Sequence, residues 1–151
     1  MLICLDASVF LKLAVEEDDS EYFREVWADT LTKGTQFAAP TLMLYEIAST
    51  LRKKTVRGFL TESEAELTLE YLMMQPVEIV SSLPLHARAL RLAAEFNRPN
   101  TYDAHYLALA EELDCELWTA DKRLYNAVRD RFPLIRLPSQ PLSQNEPDEN
   151  G

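Results

Sequence analysis

Four acidic side chains stand out in this sequence for what they are set among: Asp6, Glu46, Asp103 and Asp121. Asp6 closes the apolar run Leu2-Ile3-Cys4-Leu5, and Asp103 is followed by Ala104, Tyr106, Leu107 and Leu109. A carboxylate amid core-type residues has lost water and needs a partner to stay ionised. Helix capping is a sufficient account of Asp6, Asp103 or Asp121 taken singly. It does not account for Glu46, which lies within an apolar helical stretch between Tyr45 and Ile47. One shared cation accounts for all four, because packed carboxylates repel and a divalent ion makes their ionised forms compatible. An oxygen-only donor set without Cys or His points to Mg²⁺ or Mn²⁺.

Alternating strands and helices are expected to bring these acids together. Residues 2 to 5 read as a buried strand ending at Asp6, and helical periodicity follows from Ala7 to Val15. A helix is expected over Ser20 to Thr32, then a strand over Thr35 to Ala39, with Pro40 ending it and opening the helix that carries Glu46 to near Gly58. Thr61-Glu62-Ser63-Glu64 has the form of a capping box and starts another helix. A strand at 77–80, a helix from Leu85 to Asn97, a helix from Thr101 to Leu113, a strand at 116–118, a helix at 122–130 and a strand at 134–137 complete the pattern. Such alternation predicts an α/β fold of three layers, α/β/α, with a mainly parallel central sheet. Ligands of open parallel sheets bind outside the carboxyl ends of the strands, where three of the four acids are expected.

At 151 residues, with 47% hydrophobic and 26% charged residues, the chain fits one domain. The segment 1–137 is expected to fold, and 138–151, with Pro138, Pro141, Pro147 and several acids, is expected to be a disordered tail. No apolar run approaches a membrane span, no secretory leader is expected, and a cytoplasmic location follows. Cys4 and Cys115 stand far apart beside apolar residues and read as small buried thiols. The net charge of −10 argues against a nucleic-acid partner until its distribution is considered. Acids crowd the segment Glu16 to Asp29 and the tail, whereas positive charge gathers at Arg52-Lys53-Lys54, at Arg88, Arg91 and Arg98, and at Lys122-Arg123.

The opening Leu5-Asp6-Ala7-Ser8-Val9 with Leu11-Lys12 resembles the start of PIN domains, specifically the ribonuclease toxins of VapBC-type toxin–antitoxin pairs. Ala39-Pro40-x-Leu42-x-x-x-Glu46, Thr101-Tyr102-Asp103-Ala104-x-Tyr106-Leu107 and Leu117-x-Thr119-Ala120-Asp121-x-x-Leu124 resemble the later segments of that family, in the same order. The resemblance implies a PIN-like fold and a metal-dependent endoribonuclease. It also implies that Asp6, Glu46, Asp103 and Asp121 hold one or two Mg²⁺ or Mn²⁺ ions, and that a homodimer forms and a cognate antitoxin covers the site. Ser8 and Thr119 match small hydroxyl positions that orient a carboxylate or a water, with ordinary capping an equal alternative. Lys12, Arg52, Lys53, Lys54 and Lys122 are candidates for contacting an RNA substrate. His86 and His105 are not required by this scheme and are expected to be structural or solvent-facing. A receiver domain fits poorly for want of adjacent acids after the first strand, and a haloacid-dehalogenase phosphatase would need an acid where Ser8 stands. The remaining alternative is a PIN-fold module that binds RNA or protein without catalysis.

Overall fold

The computed structural model describes residues 1–138, so the expected tail lies outside the described residues except for Pro138. The chain runs β1 (Leu2–Leu5), α1 (Ala7–Leu11), α2 (Ser20–Thr32), β2 (Gln36–Pro40), α3 (Leu42–Val56) and α4 (Glu62–Met73). It continues through β3 (Val77–Val80), α5 (Leu83–Glu95), α6 (Tyr102–Leu113), β4 (Glu116–Trp118), α7 (Lys122–Val128) and β5 (Ile135–Arg136). All strand pairs are parallel, and the sheet order is β3-β2-β1-β4-β5. The expected α/β architecture is therefore present, with a sheet that is wholly parallel.

This order fixes where a site forms. From β1 the chain steps one way, to β2 and β3, whereas from β4 it steps the other way, to β5. Connections therefore diverge between β1 and β4, leaving the crevice in which open parallel sheets bind ligands. Asp6 follows β1 directly, and Thr119 and Asp121 follow β4. The central strands are buried, with Ile3, Cys4, Leu5, Ala39 and Leu117 all at 0% exposure, so the frame beneath the crevice is dry and rigid. Cys4 and Cys115 are indeed buried free thiols.

Local chemistry explains several element ends. Thr61 and Glu64 form the expected capping box, satisfying two orphan N–H groups of α4 and contributing about 1 kcal/mol. Gly34, at φ 78°, makes the left-handed turn that leads from α2 to β2. Trp27 of α2 stacks on Phe37 of β2 at 4.3 Å and tilts against Phe10, so α2 turns Phe23 into the core with Tyr22 and Trp27 packed against it.

Several boundaries shift by one or two residues from the sequence expectation, and two differences bear on the elements around the acids. α1 stops at Leu11 rather than Val15, because Leu11, Leu13 and Val15 are all buried and a spacing of two places them on opposite sides of a helix. Pro40 does not open α3. It pairs with Val80 as the last residue of β2, and α3 starts at Leu42.

Candidate active site

Asp6 is 5% exposed at the end of β1, and its side chain is held from three directions. The Ser8 hydroxyl donates to Oδ1 at 2.5 Å, the Thr119 hydroxyl donates to Oδ2 at 2.5 Å, and the Val9 backbone N–H donates to Oδ1 at 3.2 Å. Both hydroxyls also accept backbone N–H groups from the loop after β4, Ser8 from Ala120 and Thr119 from Asp121. Ser8 and Thr119 thus fasten the end of β1 to the end of β4 and orient one carboxylate. Burial pushes Asp6 up to about 6 despite these three donors, and the negative charge of Asp103 adds to the rise.

Glu46 projects from the second turn of α3. Its Oε1 accepts a 2.6 Å hydrogen bond from the Tyr106 hydroxyl of α6. Burial raises its pKa, the Tyr106 donor lowers it, and the charge of Asp103 raises it. Asp103, in the first turn of α6, pairs with Arg98 at 3.2 Å. Asp103 therefore lies near enough to both Asp6 and Glu46 for its charge to oppose their ionisation. Three carboxylates from β1, α3 and α6, distant in sequence, converge at one end of the sheet.

Asp121 joins them less directly. Its Oδ1 accepts from the N–H groups of Arg123 and Leu124, capping α7, while its own backbone N–H donates to Thr119. Asp6 also caps its helix through Val9. At both positions capping and a place at the crevice coexist, since the same fold-back of the chain supplies each.

Sequence reasoning missed Tyr106 and Arg98 as parts of this centre. Tyr106 is 2% exposed and its hydroxyl bridges to α3 across the crevice, whereas its spacing in α6 matches any core aromatic. Among the described residues, Arg98 is the only cation in an ion pair with one of the four acids, and its Nε–H is buried without a partner.

The basic candidates fall at different places. A cleft of about 380 Å³ beside the acids is lined by Ser8, Lys12, Glu46, Thr50 and Lys54 among others. Glu46, Thr50 and Lys54 follow at intervals of four and so share one stripe of α3. Lys12 lines the same cleft, but Glu17 and Asp19 each hold its ammonium at 2.7 Å, so much of its charge is already matched. Arg52 faces Glu62 of α4 at 3.8 Å, and Lys53 and Lys122 are exposed. His86 and His105 hydrogen-bond to each other at 2.8 Å, and His105 also meets the Thr101 carbonyl.

Among the described residues, no three Asp, Glu, His or Cys side chains form a ready-made metal-binding group. Asp6, Glu46 and Asp103 instead direct oxygens to Ser8, Thr119, Tyr106 and Arg98. The donor set nonetheless fits a hard divalent cation: it is all oxygen, partly desolvated, and matched by a single guanidinium.

An all-parallel α/β domain with an acidic centre at the carboxyl ends of its inner strands is the class that this fold and site define. The chain belongs to the PIN-domain family, whose model matches residues 3–130. It is 32% identical over 143 residues to Ribonuclease VapC3 of Pyrobaculum aerophilum, covering 91% of this chain and 100% of that one. It is 29% identical over 137 residues to Ribonuclease VapC9 of Mycobacterium tuberculosis, covering 91% and 99%. Among solved structures it resembles PAE2754 from Pyrobaculum aerophilum, with a TM-score of 0.64, 26% identity and 84% of each chain covered. A toxin–antitoxin complex from Klebsiella pneumoniae shares the fold at a TM-score of 0.65 and 18% identity, over 91% of this chain and 98% of that one.

Proposed function

We propose that this protein is a divalent-metal-dependent endoribonuclease acting as the toxin of a toxin–antitoxin pair. The observation that carries the reading is the convergence of Asp6, Glu46 and Asp103, with the charge of Asp103 acting on both of the others, in the crevice between β1 and β4. Relatives named VapC ribonucleases over nearly their whole length support the activity, and the fold shared with a toxin–antitoxin complex supports an antitoxin partner. The family also carries the expectation of a homodimer. Among the described residues no helix is long and apolar enough to cross a membrane.

Asp6, Glu46, Asp103 and Asp121 would hold one or two Mg²⁺ or Mn²⁺ ions, directly or through water. When bound, such an ion supplies charge neutralisation on the scissile phosphate and lowers the pKa of water at the site. The protein supplies orientation. Ser8 and Thr119 fix both oxygens of Asp6, and Tyr106 fixes one oxygen of Glu46 while leaving the other free to turn. Arg98 pairs with Asp103 at 3.2 Å and so sets a positive charge beside the acids. Thr50 and Lys54 face the cleft where the RNA backbone would continue, and Lys54 offers a cation to a flanking phosphate. Neither histidine enters this scheme. Water attacks phosphorus and the 3′ oxygen leaves, so the products carry 5′-phosphate and 3′-hydroxyl ends.

End chemistry tests this directly. Single-stranded RNA incubated with the purified protein and Mg²⁺ should yield fragments whose 5′ ends accept ligation without prior phosphorylation. Fragments ending in 2′,3′-cyclic phosphate would mean that the 2′ hydroxyl is the nucleophile, and the scheme would fail.

Tyr106→Phe isolates the role of the bridging hydroxyl. The ring still fills its place in the core, so the loss of one hydrogen bond should lower stability by only about 1 kcal/mol. Cleavage should fall by roughly 10- to 100-fold, the usual cost of removing a group that orients a metal ligand. Initial rates at saturating Mg²⁺ together with urea unfolding separate the two effects. Unchanged rates would remove Tyr106 from the active centre.

A further inference from the structure

A groove of about 230 Å³ opens beside the acidic centre, over the ends of β2 and β3. Tyr45, Tyr102, His86 and His105 line it, and Ser81 and Ser82 stand at its edge. The tyrosines are conspicuous because they are exposed, Tyr45 by 73% and Tyr102 by 58%, although both are large aromatics. Packing does not explain them. The two imidazoles sit with ring centroids 4.9 Å apart, tilted by 67°, fixed by their mutual hydrogen bond and by the Thr101 carbonyl. Val80 and Leu85 supply apolar surface below.

Each tyrosine immediately precedes an acid of the centre. Tyr45 adjoins Glu46 on α3, and Tyr102 adjoins Asp103 on α6. On a helix, neighbours in sequence point about 100° apart, so each of two separate elements offers a carboxylate to the centre and an aromatic ring to the groove. We infer that this groove is a subsite for one unstacked nucleobase of a single-stranded RNA, beside the phosphate that the acids address. The inference rests on the ribonuclease reading and deepens it by naming the form of RNA taken.

The chemistry of the lining favours a base over other occupants. Exposed aromatic faces stack on any base, and this is the usual means by which proteins hold single strands irrespective of sequence. The phenol, imidazole and serine groups around them offer donors and acceptors to a base edge. Among the described residues no Lys or Arg lines the groove, so it is unsuited to a phosphate, whereas Lys54 lines the cleft that Glu46 also lines. A strand crossing the centre would thus meet aromatic faces at the groove and a cation at the cleft. A base-paired duplex cannot enter, because its bases are already stacked.

The test uses the full-length protein and single-stranded oligoribonucleotides in which one abasic nucleotide is stepped through the sequence. In the wild-type protein, one abasic position next to the cut should raise KM by about tenfold, the scale of one lost stacking contact, with kcat little changed. The double variant Tyr45→Ala/Tyr102→Ala should show the same rise with the intact strand and no further rise at that abasic position. Tyr45→Phe/Tyr102→Phe, which keeps both aromatic faces, should raise KM far less than the alanine variant and should keep the response to the abasic position. A second arm replaces Mg²⁺ with Ca²⁺ and follows quenching of 2-aminopurine placed at that position, so that base binding is read without cleavage. Quenching that depends on the tyrosines in a protein that cuts no RNA would support the groove and refute the ribonuclease reading. Normal cleavage with a flat abasic scan would overturn the groove alone. Loss of self-association in the alanine variant, with cleavage per subunit unchanged, would assign the groove to a contact between copies and overturn it as well.

Discussion

Asp6→Asn should abolish RNA cleavage while making the protein more stable. The side chain is buried at the end of β1, and its ionised form lacks water. Its pKa is pushed up to about 6, above the ordinary carboxylate value, chiefly by that burial. A carboxylate whose folded pKa is raised favours folding in its protonated form. The contribution is fully present below the unfolded pKa near 4 and is lost as pH rises through about 6. Above that pH the ionised group opposes folding by about 3 kcal/mol, from roughly two pKa units at 1.36 kcal/mol each, an order-of-magnitude figure.

Asparagine keeps the shape and the acceptor for Ser8 and the Val9 N–H, and removes the charge. Urea unfolding in EDTA should show the variant more stable than wild type at pH 7.5, with the difference vanishing toward pH 4. Activity should move the opposite way, by about a thousandfold or more, because one ligand of the hard cation is lost. Equal stability of the two proteins across that range would show that Asp6 is not an uncompensated charge. Cleavage surviving the substitution would remove it from the reaction.

Withdrawal of divalent metal should have an effect of the same size. Asp6, Glu46 and Asp103 together carry more negative charge than Arg98 balances, and RNA brings more. Without a cation the centre repels its substrate, because among the described residues Arg98 is the only cation paired with one of these acids, and Lys54 is placed for a flanking phosphate. EDTA should therefore stop cleavage, and Mg²⁺ or Mn²⁺ added back in excess should restore it. The wild-type protein should also unfold at a higher temperature in Mn²⁺ than in EDTA, because a ligand that binds only the folded state stabilises it by mass action. The Asp6→Asn variant should show little of that rise. Cleavage that continues in EDTA would require another source of catalysis.

The sequence was most legible where local pattern and chemistry coincide. Apolar runs of β-type residues alternating with amphipathic stretches give the order of strands and helices, and the carboxyl-end rule then places Asp6 and Asp121 at the crevice. Glu46 could be singled out because an acid inside an apolar helix conflicts with packing. Ser8 and Thr119 were open between capping and orientation, and both hydroxyls donate to Asp6.

What stayed hidden depends on contacts across long sequence separations. Tyr106 meets Glu46 across 60 positions and looks, within α6, like any buried aromatic. Arg98 lies in the turn before α6, where its neighbours give no sign that it will pair with Asp103. Lys12 looked available for RNA, but the chain folds back after α1 and brings Glu17 and Asp19 onto it. The helix expected from Ala7 to Val15 was shortened by burial of Leu11, Leu13 and Val15, a tertiary demand that local propensity does not reveal.

Electron paramagnetic resonance of Mn²⁺ titrated into the wild-type protein, and into Asp6→Asn and Asp103→Asn, bears most directly on whether these acids hold a cation. The wild-type protein should remove free Mn²⁺ signal with one or two equivalents bound, and each variant should weaken that binding by at least tenfold while remaining folded by circular dichroism. Equal Mn²⁺ binding in all three proteins, or none in the wild type, would contradict the account.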